Sequence, residues 1–262
     1  MEILGYAATI LMGLSLGVLG GGGSILTVPI LIYFFKMDAL LATTFSLSVV
    51  GSTSLIGASL KALQREVDFK TGLIFALPSF VGVYLTRAFL MPQIPTNVLS
   101  IGSWTLTKSS LVMISFSLIM LAASYSMLKP KSTKPKPEDS PRYFPIALQG
   151  LFVGFTTGFV GVGGGFLIIP ALVILVGMPM AIATGTSLAI ISANSLVGLL
   201  GDTKALAQID LKLLVALSII SLIGLFIGNR IQAKLPEKQL KTVFAFLLIG
   251  IGVFILLDHF VL

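Results

Sequence analysis

The sequence contains no cysteine, a single histidine and few charged residues, which make up 10% of its 262 positions. The absence of cysteine excludes disulfide bonds, thiolate catalysis and cysteine-ligated metals. A soluble domain carries about a quarter charged residues, so this chain has too little polar surface to cover a globule in water. Because 56% of its residues are hydrophobic, the composition predicts a membrane protein that lipid surrounds.

Carboxylates are missing from the core of every apolar segment. A carboxylate relay of the kind that many proton-coupled carriers contain is therefore not visible. The sequence also lacks the clustered histidine, cysteine or acidic ligands that a transition metal needs, so we predict no cofactor. It has neither a Ser/His nor a His/Glu arrangement for an intramembrane enzyme, and we predict that the chain is not an enzyme. The acidic residues nearest the apolar segments are Asp38, Glu66, Asp68, Asp202, Asp210 and Asp258.

Basic residues outnumber acidic residues by 17 to 10. Such an excess can indicate a nucleic-acid partner, but these residues lie in short loops beside apolar segments, where the positive-inside rule places them. We therefore predict a lipid bilayer and a small anionic solute as the partners, and no nucleic acid. The sequence carries no signal for an oligomeric state.

An internal repeat is the strongest pattern in the sequence. Residues 17–57 align with residues 158–198 at a constant offset of 141 without a gap, and 15 of the 41 aligned positions are identical. The identities include glycines and prolines that composition alone would not align. A weaker likeness continues with Asp68-Phe-Lys70 over Asp210-Leu-Lys212. The chain is therefore a duplication.

Each half of the duplication contains five apolar segments. The second segment of each half has 13 residues and would rise only about 20 Å as a helix. A full crossing needs roughly 20 residues, so we predict that these two segments are broken or re-entrant. The segments are 3–19, 24–36, 39–60, 71–90 and 107–128 in the first half, and 144–160, 165–177, 180–200, 211–229 and 238–260 in the second.

The predicted fold is an all-α polytopic membrane protein with two repeats joined by a linker. Residues 1–128 form the first repeat and residues 144–262 the second. The linker, 129–143, is rich in proline and charge and carries five Lys/Arg residues, which places it in the cytoplasm of a protein in the cell membrane.

The loop charges predict that the two repeats are inverted. The basic loop 61–70 of the first half corresponds to the charge-poor loop 201–210 of the second. Equivalent loops therefore lie on opposite sides, with 61–70 and 230–241 inside, and with 201–210, 91–107 and both termini outside. This requires an odd number of crossings in each half, for example three spans and a re-entrant hairpin. Inverted repeats are typical of transporters, whose substrate site lies near the midplane between the repeats.

Two glycine clusters lie between the first and second segment of each half. Adjacent glycines do not hold a stable helix, so we interpret each cluster as an unwound turn. Its N–H groups and the partly positive N-terminus of the next helix suit an anion. We assign helix packing, which needs small residues at helical spacing, to Gly13-x3-Gly17 and Gly154-x3-Gly158. The residues predicted to bind an anion at the clusters are Gly20, Gly21, Gly22, Gly23, Ser24, Gly161, Gly163, Gly164 and Gly165.

Hydroxyl groups at matching positions form a second set of candidates. Thr43 and Ser46 in the first half correspond to Thr184 and Ser187 in the second. Members of each pair are three residues apart and share a helix face, so the two halves offer similar donors to one central substrate. The alternative is a hydroxyl bonded to its own helix backbone.

Two further polar residues lie within or near the end of an apolar segment. Asn194 is a binding candidate because an amide in hydrocarbon must find partners. Arg87 lies three residues from the end of its segment. It either guides anions into an outer vestibule or extends to the membrane surface as a snorkelling side chain.

The glycine clusters resemble the signature of the TauE/SafE sulfite exporter family. The likeness covers nearly the whole chain, including the duplicated halves and the central linker. It implies a membrane permease for small anions such as sulfite, sulfoacetate, other organosulfonates or thiosulfate. The resemblance does not identify which of these anions is the substrate. Ser24 takes the place of Gly165, so the two half-sites need not be equivalent. The matching residues are Gly161-Val-Gly-Gly-Gly165 with Pro170, and Gly20–Gly23 with Pro29, Ala42, Thr43 and Ser46.

These observations lead to one hypothesis and one rival. In the hypothesis, an alternating-access carrier that works as an exporter brings its two glycine turns together near the membrane centre, where backbone N–H groups and hydroxyls bind the anion. The rival is a passive anion channel on the same scaffold, which the lack of an acidic coupling group favours.

Overall fold

A computed structural model describes residues 2–21, 23–101, 104–128, 143–160, 164–200 and 208–261. Every apolar segment predicted from the sequence forms a helix there, which confirms the all-α class. We number these helices α1 (Glu2–Leu19), α2 (Ser24–Tyr33), α3 (Ala39–Leu63), α4 (Phe69–Leu85), α5 (Lys108–Leu128), α6 (Tyr143–Val160), α7 (Gly165–Pro170), α8 (Met180–Leu200), α9 (Leu211–Gln232) and α10 (Glu237–Val261).

Two helices continue with a wider, π-helical winding. Helix α4 runs on as Thr86–Leu90 and then as a last turn, Met91–Gln93, while α7 runs on as Ala171–Val176. Within the described residues, and with these continuations counted, six helices are long and apolar enough to cross a membrane, three in each half: Ala39–Leu63, Phe69–Gln93, Lys108–Leu128, Met180–Leu200, Leu211–Gln232 and Lys238–Leu257.

Helices α1 and α2 form a hairpin that returns toward the side on which α1 begins. Gly5, in the first turn of α1, lies against Phe34 and Phe35, which follow α2. The rings of Tyr6 and Phe35 meet edge to face, with their centroids 5.5 Å apart. The ten residues of α2 rise about 15 Å, which is half of a hydrocarbon core. The short second segment is therefore re-entrant, as predicted.

The equivalent helices α3 and α8 pack against each other and run in opposite directions. Gly51 of α3 lies against Ser195 of α8, and Gly57, further along α3, lies against Leu188, earlier on α8. Equivalent elements that pack antiparallel are related by a two-fold axis between them. The remaining pairs follow the same axis, because α1 packs on α9 and α4 packs on α6. The two halves therefore have inverted topology.

The GxxxG pairs act in helix packing, as the sequence analysis assigned them. A Cβ atom added at Gly13 would overlap the backbone carbonyl of Ser221, and one added at Gly154 would overlap that of Ser79. Ser79 and Ser221 are equivalent residues of the fourth helix in each half. Contacts between small residues at helical spacing thus hold each half's first helix against the other half's fourth helix.

The repeated Asp-x-Lys motif has a structural explanation at the start of the fourth helices. The Oδ1 atom of Asp68 accepts hydrogen bonds from the backbone N–H groups of Lys70 and Thr71, both at 3.1 Å. The Oδ1 atom of Asp210 accepts the same bonds from Lys212 and Leu213. Both aspartates are N-caps, which satisfy N–H groups that the first helical turn leaves without partners.

One element was not predicted from the sequence. The region assigned to an uncharged loop, 91–107, contains a two-stranded antiparallel hairpin, with β1 at Asn97–Ile101 and β2 at Trp104–Thr107. Both strands are rich in the β-branched and aromatic residues that favour extended backbone.

Candidate functional site

The glycine turns of the two halves contact each other inside the protein. A Cβ atom added at Gly21 would overlap the backbone of Gly165, and one added at Gly165 would overlap Gly21. Both residues are buried. The side chain of Ile191, in the middle of α8, also lies next to Gly165, so this contact is close to half-way along a membrane-spanning helix. Three residues predicted for the site, Gly22, Gly161 and Gly163, lie outside the described residues.

Two glycines in these turns adopt a backbone conformation that side chains disfavour. Gly20 has φ +71° and Gly164 has φ +74°, in the left-handed region that glycine enters without strain. A Cβ atom added at Gly20 would also lie 2.7 Å from the Cγ2 atom of Thr184 and 3.0 Å from the Oγ atom of Ser187. The structure thus brings the first glycine turn onto the predicted hydroxyl pair of the second half.

The helices that follow the turns start without a side-chain cap. Gly23 is the N-cap of α2 and Gly164 is the N-cap of α7, and neither position has a side-chain cap hydrogen bond. Ser24 is used inside its own turn, because its backbone N–H and its hydroxyl both donate to the carbonyl of Gly21, at 3.3 and 2.7 Å.

Three of the four predicted hydroxyls bond to their own helix. Thr43 donates to the carbonyl of Leu40 at 2.7 Å, Thr184 to that of Met180 at 2.8 Å, and Ser187 to that of Thr184 at 2.8 Å. Each oxygen keeps its lone pairs but has donated its hydrogen. Ser46 differs, since its buried Oγ atom has no hydrogen-bond partner within the described part of the chain.

Thr157 is a site residue that the sequence analysis missed. It belongs to the last turn of α6 and is fully buried, and its Oγ1 atom lies where a Cβ atom of Gly164 would be. Within the described part of the chain this oxygen has no hydrogen-bond partner. The repeat alignment could not indicate it, because the equivalent position is Leu16. The only feature of the sequence that marks Thr157 is its position directly before Gly158, the second glycine of a GxxxG packing pair.

Asn194 connects two helices. Its Nδ2 atom donates to the Oγ atom of Ser79 in α4 at 2.7 Å, and both side chains are fully buried. Its Oδ1 atom has no hydrogen-bond partner among the described residues. In this arrangement the amide positions α8 against α4 and presents an acceptor, rather than a donor, to any ligand nearby.

Two buried cations flank the site, one toward each end of α3. Arg87 is 4% exposed, and its Nη1 atom donates to the Oγ1 atom of Thr44, in the second turn of α3, at 3.4 Å. Lys61 is 5% exposed and lies in the last turn of α3. The burial of Arg87 excludes a snorkelling side chain. Among the described residues no aspartate or glutamate is buried, and Lys61 forms an ion pair with the partly exposed Glu66.

Comparisons with known proteins agree with a membrane transporter. The profile of a family described as "Sulfite exporter TauE/SafE" matches residues 5–255. The chain is 28% identical to a probable membrane transporter protein of Xylella fastidiosa (strain Temecula1), which covers 94% of this chain and 91% of that protein. It is 25% identical to the probable membrane transporter protein YunE of Bacillus subtilis (strain 168), with 92% of each chain covered. A probable membrane transporter protein of Methanocaldococcus jannaschii is 26% identical, with 95% of this chain and 94% of that protein covered. No solved structure matches the chain.

Proposed function

Because the chain belongs to the sulfite exporter TauE/SafE family, which is a family of membrane transporters and not of enzymes, we propose that it carries small sulfur-containing or organic anions across the cell membrane. Sulfite, sulfoacetate and other organosulfonates are the substrates we propose, and export is the proposed direction. The family description supports this class. The buried guanidinium of Arg87 and the lack of a buried carboxylate in the described chain support an anion rather than a cation.

The observation that carries the proposal is the contact between the turns at Gly21 and Gly165. Each turn precedes a helix that has no side-chain cap, so its first N–H groups are donors without a side-chain partner. A sulfonate is a weak base that accepts hydrogen bonds, and neutral donors bind it without holding it too tightly to leave. In the proposed site, backbone N–H groups of 20–23 and 161–165 bind the oxygens together with the hydroxyl of Ser46.

The remaining predicted residues have supporting roles in this proposal. Thr184 and Ser187 line the turn at Gly20, Thr43 takes the corresponding role in the other half of the repeat, and Asn194 fixes the angle between α8 and α4. Arg87 attracts the anion at the end of α3 that the loop charges place outside. Because the turns touch in the present conformation, the anion enters when they separate, which rocking of one repeat against the other would achieve.

Orientation is part of the same proposal. The linker, 129–143, between the repeats 1–128 and 144–262 lies in the cytoplasm, with both termini outside, as the Lys/Arg distribution favours.

A passive anion channel is the second candidate, and the lack of a buried carboxylate among the described residues favours it. The two functions differ in one property. A carrier exchanges substrate, so its uptake accelerates when unlabelled substrate is present on the opposite side, whereas a channel shows no such acceleration.

The test uses the purified protein in proteoliposomes. We expect saturable uptake of labelled sulfite or sulfoacetate that unlabelled anion on the far side accelerates, and no uptake of taurine, which is a zwitterion at neutral pH. Replacing Gly21 or Gly165 with alanine should lower this uptake by about tenfold or more, equivalent to 1.4 kcal/mol, since the added methyl group prevents the two turns from returning to the contact that the transport cycle requires.

The matched control is Gly250→Ala in α10, where an added Cβ atom meets nothing within 4 Å. This variant should transport at the wild-type rate. Wild-type protein that moves none of the anions would refute the substrate class, and unchanged flux in correctly folded Gly21→Ala and Gly165→Ala variants would refute the site.

A further inference from the structure

A cavity of about 430 Å³ lies at the end of the molecule where α3 and α9 end and α8 begins. Its lining includes Lys61, Glu66, Met180, Asn229 and Gln232. The two loops that the sequence analysis places in the cytoplasm, 61–70 and 230–241, both contribute to it. Its volume lies within the range of about 300–1,000 Å³ that is usual for small-molecule sites.

Gln232 is the first sign that this cavity binds a ligand. The side chain is 5% exposed, and neither Oε1 nor Nε2 has a hydrogen-bond partner within the described part of the chain. Leaving a buried polar group without a partner costs about 1–3 kcal/mol. A buried amide that lines a cavity is therefore suited to donate to a bound molecule.

The ion pair between Lys61 and Glu66 is the second sign. The Nζ atom of Lys61 and the Oε2 atom of Glu66 are 2.6 Å apart. The lysine is buried, whereas the glutamate side chain is 33% exposed, so the carboxylate can move into water while the ammonium stays in the wall of the cavity. An ammonium group has three donors, and an incoming oxyanion can replace the carboxylate.

Helix α8 connects the cavity to the glycine turns. Met180 lines the cavity, and Thr184, one helical turn further along, contacts Gly20. Gly185 is tightly packed against the Lys61 side chain, whose Cβ atom lies 3.0 Å from a Cβ atom added at that glycine. A molecule in the cavity is thus separated from the turn at Gly20 by a single turn of helix.

We propose that this cavity is a second anion site, where a sulfonate, sulfite or carboxylate group binds before or after it occupies the glycine turns. Lys61 exchanges Glu66 for the anion, and the Nε2 atom of Gln232 donates to one of its oxygens. Glu66 acts as an internal competitor that occupies Lys61 when the cavity holds no substrate. This inference rests on the proposed transport of anions.

The test measures KM for labelled sulfite and sulfoacetate from each face, in right-side-out and inside-out membrane vesicles that contain the full-length protein. Lys61→Gln should raise KM on the cytoplasmic face by about tenfold, the effect of losing one charge-assisted hydrogen bond. Glu66→Gln should lower KM on that face, since the competing carboxylate is gone. KM on the opposite face should stay unchanged in both variants.

Opposite signs separate a binding site from a structural ion pair. If the pair only holds α3 to its loop, both substitutions remove the same contact and change KM in the same direction. Lys61→Arg keeps the charge and should restore most of the affinity, which distinguishes lost binding from failed folding. Lys234→Gln, which removes an exposed charge nearby without altering the lining, should change KM by less than about twofold.

The outcomes also separate the two proposals. Wild-type vesicles that accumulate neither anion would refute the transport function. Wild-type transport combined with no change, or with raised KM, in both Lys61→Gln and Glu66→Gln would overturn the cavity site alone.

Discussion

Hydroxyl groups that are buried without a hydrogen-bond partner are the residue-scale feature of this protein that most needs a reason. In a helix a serine or threonine hydroxyl can always turn to its own backbone, as Thr43 and Thr184 do here. Ser46 and Thr157 are both fully buried, and neither hydroxyl finds a hydrogen-bond partner among the residues that the structure describes. Since both belong to the proposed anion site, we interpret them as donors that a bound anion would satisfy.

Thr157 allows a test in which stability and transport should change in opposite directions. Thr157→Val keeps the shape of the side chain and removes the unsatisfied hydroxyl, so it should leave the unfolding free energy unchanged or raise it by up to about 1 kcal/mol. Uptake of sulfite in proteoliposomes should fall, because one donor to the anion is lost. Thermal unfolding in detergent and initial uptake rates measure the two effects.

Thr157→Ser is the matched control, since it keeps the donor and should retain uptake. If Thr157→Val transports as well as the wild type, this hydroxyl is not part of the binding site.

The sequence indicated candidate site residues most clearly where the repeat supplied a second copy. The glycine turns and the hydroxyl pairs stood out because they occur twice. Thr157 has no counterpart, and its position depends on the left-handed conformation of Gly164, which one sequence does not specify. The burial of Lys61 was also unforeseen, because a lysine at the end of an apolar segment is expected to reach water.

At the scale of elements, the re-entrant helices end in the same way in both halves. The backbone N–H of Met37 donates to the carbonyl of Leu31 at 3.1 Å, and that of Met178 donates to Leu172 at 3.0 Å. In each half the residue just before the methionine is left-handed: Gly177 has φ +79°, and its counterpart Lys36 has φ +53°. Only the first half therefore has a side chain in this strained position.

This difference predicts that Lys36→Gly stabilises the protein. A left-handed conformation disfavours a residue with a Cβ atom by about 1 kcal/mol, and glycine removes that strain. The reverse change, Gly177→Lys, should destabilise by a similar amount, since nothing lies within 4 Å of an added Cβ atom and only the backbone is affected. Thermal unfolding in detergent measures both changes. Lys36→Gln, which removes the charge but keeps the Cβ atom, should not stabilise; if it does, the gain comes from charge and not from the backbone.

The sequence predicted helices better than it predicted how they end. Apolar length located every helix, because a membrane span must satisfy its own backbone hydrogen bonds. The π-helical continuations of α4 and α7 leave no mark in hydropathy, and the strands of the hairpin at 97–107 are apolar enough to resemble the approach to α5.

At the scale of the whole molecule, the inverted arrangement of the two halves follows from the number of membrane spans in each half and from the helix contacts between the halves. Three long spans and a hairpin in each half reverse the direction of the second half, and the antiparallel packing of α3 on α8 requires the same reversal. The loop charges predicted this inversion because they report the side of the membrane directly. They did not predict which helices would pair, since partners are selected by contacts such as that between Gly13 and Ser221.

The absence of cysteine allows the orientation to be tested with single-cysteine variants. Thr96, Gln208, Arg65 and Lys234 are exposed, and the first two belong to the end proposed to face outward. A membrane-impermeant maleimide added to intact cells should label Thr96→Cys and Gln208→Cys, and should label Arg65→Cys and Lys234→Cys only after permeabilisation. The reversed labelling pattern would agree with the same fold but would show the opposite orientation in the membrane. Labelling of Arg65→Cys and Gln208→Cys from one side would contradict the inversion itself, because these residues belong to the equivalent loops of the two halves.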